Sequence, residues 1–387
     1  MPRADRGLAQ AQGDFARPRA DARAESELCA SIKLATRCRV ITGDARAIPL
    51  EAHCVDLIVT SPPYWRKRDY GRRDQIGQEA TVTDYVGAIL SALGEWRRLL
   101  RATGSVFLNI GDTFYRRSLA GIPGRIEAGA RDDGWIVRNR IVWVKSRGMP
   151  DPTRDRLVSR HEYIIHLTVR RDYYYDLHGY SEEFGTGANP GDIWRIEPQR
   201  NMNGHLAPFP REIAERAITL ACPEVVCPKC GKPRRRMVRR TRELDARRPQ
   251  AQRAMELARE AGLTAEHIAA IQATGISDAG KALRTQNGTG HNSAKVKMLA
   301  DEAKKVLGGY FREFTFAKRK TVGWTSCRCG VETVPGLVLD PFMGTGTTLL
   351  VALKLGRSAV GVDLEPDPGF WERANAEVCE VSADRAR

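Results

Sequence analysis

Cysteine is scarce, with nine residues in a chain of 387. That is too few for a disulfide scaffold at this length, so the grouping of the thiols matters more than their number. No apolar run is long enough to span a bilayer. The opening stretch "MPRADRGLAQAQGDFARPRADARAESELC" has no apolar signal core and alternates charges with alanine and proline. It reads as a flexible leader over residues 1–30, and the default location is the cytoplasm, at the nucleoid if DNA is the partner. Two nucleotide signatures are missing: there is no G-x-G-x-x-G, and no lysine precedes the threonine pair Thr347–Thr348. No His-Asp-Ser arrangement can be placed. A Pro-Cys nucleophile loop is absent too, because Cys222-Pro223 and Cys227-Pro228 have the reverse order. Acid is in deficit, with 47 Asp and Glu against 62 Lys and Arg, a formal charge of +15. That excess points to a polyanionic partner, nucleic acid first.

What is present is an α/β pattern. Hydrophobic residues make up 42% of the chain, enough for a sizeable core. Arg39–Pro49 and Cys54–Trp65 each pair a β-branched run with a polar loop, and Gly104–Asp112 and His161–Val169 read as further strands. Tyr85–Leu100 repeats apolar residues at helical spacing, and Phe209–Cys222 is a second helix with Ile213, Ala217 and Leu220 as its stripe. Trp135–Lys145 reads as a helix or turn running into a strand. This order predicts a mostly parallel sheet with covering helices. His161, His166, Cys38 and Cys54 read as packing or local hydrogen-bonding residues. Pro223–Pro335 interrupts the pattern with two cysteine pairs around a long helical segment, Arg253–Tyr310. The pattern resumes at Gly336–Pro366.

"GLVLDPFMGTGTT" places a buried strand before a Gly-rich turn, with a helix starting near Thr347. The following strand ends in Asp363, 23 residues after Asp340. An acid at about that offset binds ribose hydroxyls. With no polyphosphate cradle, S-adenosylmethionine fits. "TSPPYWRKRDYG" follows another buried strand. Pro62 and Pro63 lack amide hydrogens and have fixed φ, so their carbonyls can be held outward as acceptors. Ser61 adds a hydroxyl and Tyr64 a flat face. Together they suit an aromatic ring with an exocyclic amine, stacked on Tyr64 and gripped by the Ser61 hydroxyl and the Pro62 carbonyl. Such a base must leave the duplex to be reached. Arg66, Lys67, Arg68, Arg72 and Arg73 can hold the backbone around it.

Ser61-Pro62-Pro63-Tyr64 resembles the catalytic motif of amino-group DNA methyltransferases. Asp340 to Thr347 resembles their S-adenosylmethionine motif. The catalytic motif comes first, as in the permuted beta class, and "NPGDIWRI" and "HLAPFP" resemble a phage and bacterial branch. The resemblance implies a circularly permuted, Rossmann-like methyltransferase fold. Its catalytic half would span 31–222, its insertion 223–335 and its cofactor half 336–379, with a tail over 380–387. It implies that Asp363 binds the ribose, that Asp44 lies near the adenine, and that Phe342 lines the pocket beside Gly344, Thr345, Gly346 and Thr347. Phe209 and Pro210 would start the helix that closes the methionine end, and Asp340 would orient the methionine amine or the loop. Asn109 and Asp112 would touch the base or DNA, or cap a turn. Met343 fills space. Ser61 favours cytosine N4, since adenine-N6 members more often carry an acid or amide there; adenine N6 is the alternative. RNA methylation and a non-catalytic DNA-binding protein are weaker readings, the latter because Ser61–Tyr64, Gly344, Gly346 and Asp363 are intact. Double-stranded DNA is the implied partner, and a homodimer and a separate restriction endonuclease stay open.

Cys227-x-x-Cys230 and Cys327-x-Cys329, each followed by glycine, would complete a four-thiolate structural zinc site clamping the ends of a mainly helical insertion. Inside it, Thr264 can cap a helix beyond Gly262, giving a helical hairpin. The polar, basic Gly280–Lys297 and the loop Asp172–His205 are candidates for target recognition.

Overall fold

Val55–Thr60 is buried at every position, the mark of a strand covered on both faces. In the computed structural model, which describes residues 37–145, 153–185, 189–198, 210–241, 243–244, 246, 248–275 and 292–376, it lies at the heart of a large sheet. The strands are β1 (Cys38–Thr42), β2 (Val55–Thr60), β3 (Leu100–Ile110), β4 (Phe114–Tyr115), β5 (Ser118–Leu119), β6 (Ile136–Val144) and β7 (His161–Thr168). They continue with β8 (Ile193–Arg195), β9 (Val225–Val226), β10 (Arg236–Arg240), β11 (Arg319–Trp324), β12 (Val334–Pro335), β13 (Leu337–Asp340) and β14 (Ser358–Asp363). The helices are α1 (Val82–Leu99), α2 (Ile122–Asp132), α3 (Leu177–Phe184), α4 (Arg211–Ala221), α5 (Pro249–Glu260), α6 (Ala265–Thr274), α7 (Ala294–Leu307), α8 (Phe311–Thr315) and α9 (Thr347–Lys354).

The eight-stranded sheet has the order β1-β14-β13-β2-β3-β7-β6-β8. Only β7 runs against its neighbours, so the sheet is mixed but mostly parallel, as the element order predicts. β13 enters late yet pairs with β2, Val338 against Leu57 and Leu339 against Ile58. Alternation along β2 splits the core. Leu57 and Val59 join Ile213 and Ala217 of α4 and Leu349 of α9. Ile58 joins Tyr85, Ile89 and Trp96 of α1 and Ile122 and Ile126 of α2. Thr81 caps α1 by accepting from the Asp84 amide at 3.1 Å. The helix or turn expected at Trp135 is corrected: Ile136–Val144 is strand throughout, and the helix comes earlier, at α2.

Between α4 and β13 the chain makes its insertion. β9 and β12 pair as a short neck, β10 and β11 form a ribbon, and α5 to α8 share a small core of Ala254, Ile268, Ile271, Ala303, Leu307 and Phe314. The helical hairpin expected around Gly262 is present, with α5 and α6 turning there (φ 64°), and among the described residues α7 continues the helical segment. The insertion leaves at the strands' N-terminal edge. Gly336, just before β13, passes so close to the exit that a Cβ would lie 2.3 Å from the Pro223 carbonyl oxygen. Gly280–His291, the proposed leader and the proposed tail lie outside the described residues. Among the described residues no helix is long and apolar enough to cross a membrane.

Candidate active site

β2 and β13 end side by side, and the Thr60 hydroxyl donates to Asp340 Oδ1 at 2.6 Å. The loop Ser61–Tyr64 and the loop Phe342–Thr347 therefore open at the same edge of the sheet, the carboxyl end where α/β folds bind ligands. Asp340 is buried, and burial lifts its pKa to about 6 against the Thr60 hydrogen bond. Its Oδ1 also accepts from the Phe342 amide at 3.1 Å. It thus ties the two loops together.

Around Ser61 the side chains form a connected network. Ser61 Oγ donates to Tyr64 Oη at 3.3 Å, and Tyr64 Oη donates to Glu162 Oε2 at 2.6 Å. Asn109 Nδ2 reaches Tyr64 Oη at 2.8 Å, Glu162 Oε2 at 3.0 Å and Ser61 Oγ at 3.3 Å. Lys145 pairs with Glu162 Oε1. Burial, then the Glu162 charge, push the Tyr64 phenol well above its ordinary value of 10, so it stays a donor. The Tyr64 ring lies against Gly111, where a Cβ would come within 2.8 Å of it. The Pro63 carbonyl is already taken by the buried Tyr85 hydroxyl at 2.9 Å, which narrows the expected pair of outward carbonyls to Pro62. Asn109 faces the network. Asp112 instead caps the next turn, accepting from the Thr113, Gly121 and Ile122 amides.

On the other side, Asp363 ends β14 next to β1, in register with Thr42, and Asp44 follows two residues later. Asp363 accepts from the Gly344 amide at 2.9 Å and from the Glu365 amide at 3.1 Å. Asp44 is partly buried, which would raise its pKa, yet two-pronged bonding from Arg46 holds it below the usual range. The half-buried Phe342 meets Trp96 edge-on, with ring centroids 6.1 Å apart. Gly344 (φ 46°) has open space where a Cβ would stand, a cradle for a ligand. Gly346 (φ 80°) precedes α9, and Thr347 opens that helix. Met343 is buried against Gly361, filling space. Pro210 is the buried cap residue of α4, while Phe209 lies outside the described residues.

Arg72 bonds Glu365 at 2.9 Å and Arg46 bonds the Asp74 carbonyl at 3.0 Å, so the basic loop after Tyr64 is tethered to the cofactor side. Arg66 stacks beside Trp65 and Tyr115. His166 is buried between Phe107 and Tyr175, as a packing residue should be. Cys38 is buried and Cys54 half-buried.

At the opposite edge, the Sγ atoms of Cys227, Cys230, Cys327 and Cys329 all lie within 4.8 Å of one another. Gly231 (φ 67°) and Gly330 (φ 65°) turn the two knuckles. The cluster sits between the β9–β12 neck and the β10–β11 ribbon. The Cys230 backbone amide, opposed by burial and helped by neighbouring thiols, draws Cys227 down to about 6, so a thiolate is at hand for a metal.

Glu162 and Lys145 carry no motif, and sequence reasoning missed both. The one signal is an acid at the second position of a strand whose middle is apolar.

Residues 55–225 and 332–367 match the model of the N6/N4 DNA methylase family, and the unmatched stretch between them is the insertion. The chain belongs to this DNA methylase family. It is 32% identical over 229 residues to the type II methyltransferase M.SmaI of Serratia marcescens, covering 50% of this chain and 78% of that protein. It is also 32% identical over 209 residues to M.Cfr9I of Citrobacter freundii, covering 46% of this chain and 70% of that protein. Its fold is similar to that of the PvuII DNA methyltransferase, described as cytosine-N4-specific. There the TM-score is 0.50 and the identity 14%, over 88% of this chain and 86% of the other.

Proposed function

We propose that this chain transfers a methyl group from S-adenosylmethionine to the exocyclic N4 of a cytosine extruded from double-stranded DNA. The observation that carries the reading is the hydrogen-bonded chain Ser61–Tyr64–Glu162 beside the Pro62 carbonyl, to which no described residue donates. The amine of a base is a poor nucleophile because its lone pair is delocalised into the ring. Ser61 Oγ and the Pro62 carbonyl accept its hydrogens, favour a pyramidal nitrogen and aim the lone pair. S-adenosylmethionine, when bound, supplies the electrophilic methyl group. Asp363 would hold its ribose, Asp44 and Phe342 its adenosine end, and the Gly344–Thr347 loop its backbone-facing side.

A nitrogen that gains a methyl group must shed a proton. Ser61 Oγ takes that proton while passing its own to Tyr64 Oη, which passes its own to Glu162. The carboxylate ends neutral, and no covalent nucleophile is needed. Asn109 fixes the orientation of all three groups.

Ser61 supports cytosine over adenine, because a hydroxyl stands where adenine-N6 members more often carry an acid or amide. The catalytic strand β2 precedes the cofactor strands β13 and β14, which supports a permuted order of the two halves. The four thiols suit zinc, which would lock the neck of the insertion; four thiolates leave no open position for water, so the role is structural. Type II relatives support a restriction-modification setting; a restriction nuclease in it would be a separate chain.

Incubation with S-adenosylmethionine carrying a labelled methyl group tests the reading. Label should enter unmethylated genomic DNA and not RNA, and Asp363→Ala should abolish both transfer and cofactor binding. Label in RNA alone would overturn the DNA assignment.

A further inference from the structure

The chain does not simply turn away after β3 ends at Ile110. It runs into a tight hairpin, Thr113–Ala120, in which Phe114 pairs with Leu119 and Tyr115 with Ser118. The two residues at the tip are Arg116 (φ 51°) and Arg117 (φ 64°). A two-residue hairpin of this hand favours Asn-Gly, because both central residues must be left-handed. Two consecutive arginines there carry backbone strain that a relaxed turn would not. Such strain is retained at ligand clamps.

The rest of the hairpin is equally unlike a structural turn. Phe114, Tyr115 and Leu119 are 37%, 38% and 53% exposed, and Thr113–Ala120 contains no acid. More arginine gathers around it: Arg66 lies 5.3 Å from the Tyr115 ring and Arg156 3.8 Å from the Phe114 ring. The base of the hairpin is firmly set. Tyr115 packs edge-on against the buried Trp65 at 5.2 Å, and Asp112 caps the turn beyond. Trp65 directly follows Tyr64, so the finger stands beside the loop that would receive the base. The basic insertion, by contrast, leaves the sheet at the opposite edge.

We propose that the Thr113–Ala120 hairpin is a DNA-binding finger. It enters the groove flanking the extruded base, with Arg116 and Arg117 on phosphates and the exposed Phe114–Leu119 pair against sugar and base edges. A two-stranded ribbon fits the major groove of B-form DNA, and the charge is complementary. The inference rests on the proposed action on DNA.

The test uses the double variant Arg116→Asn with Arg117→Gly, which removes both charges and relaxes the turn, so loss of fold is not a confounder. Methylation of unmethylated genomic DNA is measured over a range of salt concentrations beside the wild type. The variant should melt no lower and bind S-adenosylmethionine unchanged. Its KM for DNA should rise about 10-fold or more at physiological salt, and the slope of log affinity against log salt should shrink by up to about 2. An unchanged KM and salt slope would overturn the proposal. If the wild type itself methylates no DNA, the functional reading has failed instead, and direct binding of both proteins to the same DNA still decides the role of the finger.

Discussion

Glu162 sits 98 residues from Tyr64 in the chain, yet its carboxylate is the terminus of the network that starts at Ser61. Glu162→Gln keeps the size and removes the proton acceptor. Its kcat should fall about 100-fold with KM changed little, since a positioned acid or base is worth about that much; single-turnover kinetics read this directly. A kcat within a few fold of wild type would remove Glu162 from the chemistry. Gly111 makes a second residue-scale test. In Gly111→Ala the new Cβ meets the Tyr64 ring at 2.8 Å, so the ring must shift. A displacement of this kind should cost roughly 10-fold in kcat while leaving S-adenosylmethionine affinity unchanged. Ser61, Pro62 and Tyr64 were legible because they are contiguous and their chemistry is local. Glu162 and Lys145 were not, because only the reversed pairing of β7 against β3 and β6 brings them to the loop.

At the scale of elements, β7 also holds a titrating group within the core. His166 is buried against Phe107 and Tyr175, and burial, then Arg138, lower its pKa to about 3. The folded protein keeps it neutral while the unfolded chain binds a proton below about 6.5, so its contribution is complete above that pH and is lost as pH falls toward 3. His166→Phe should therefore flatten the acid limb of stability, by up to about 1.4 kcal/mol per pH unit across that window. Denaturant midpoints at pH 7.5 and 5 check it. Asp340 and Asp56, each raised to about 6 by burial, work in the other direction and are common to both proteins. The neck of the insertion gives another test. The protein should contain one zinc per chain by metal analysis, and chelation or Cys227→Ser should lower Tm without abolishing S-adenosylmethionine binding. A metal-free protein of equal Tm would contradict the clamp. The cysteine pairs were readable from spacing. α2 was not, because its buried Ile122, Ile126 and Ala130 form too thin a stripe to separate from loop.

Over the whole molecule, the sheet separates two tasks. Its carboxyl-terminal edge carries Ser61–Tyr64, Phe342–Thr347, Asp44 and Asp363. Its opposite edge carries the thiol cluster and the insertion. The mostly parallel sheet, and the placing of each motif at the end of a buried strand, were legible in the sequence; the side-by-side pairing of β2 and β13 that brings the two motifs together was not, because strand order is set by long-range pairing. That the insertion leaves the sheet at the opposite edge was not legible either, because nothing in its composition records which end of the sheet it leaves. The excess of basic residues set the class of partner but not the surface that meets it. Methyl transfer to an amino group of a DNA base is read by digesting treated DNA to nucleosides and identifying them by mass spectrometry. N4-methylcytosine should appear, and only with S-adenosylmethionine present. N6-methyladenine would contradict the assignment made from Ser61, and no methylated nucleoside from cofactor-bound protein would contradict the account as a whole.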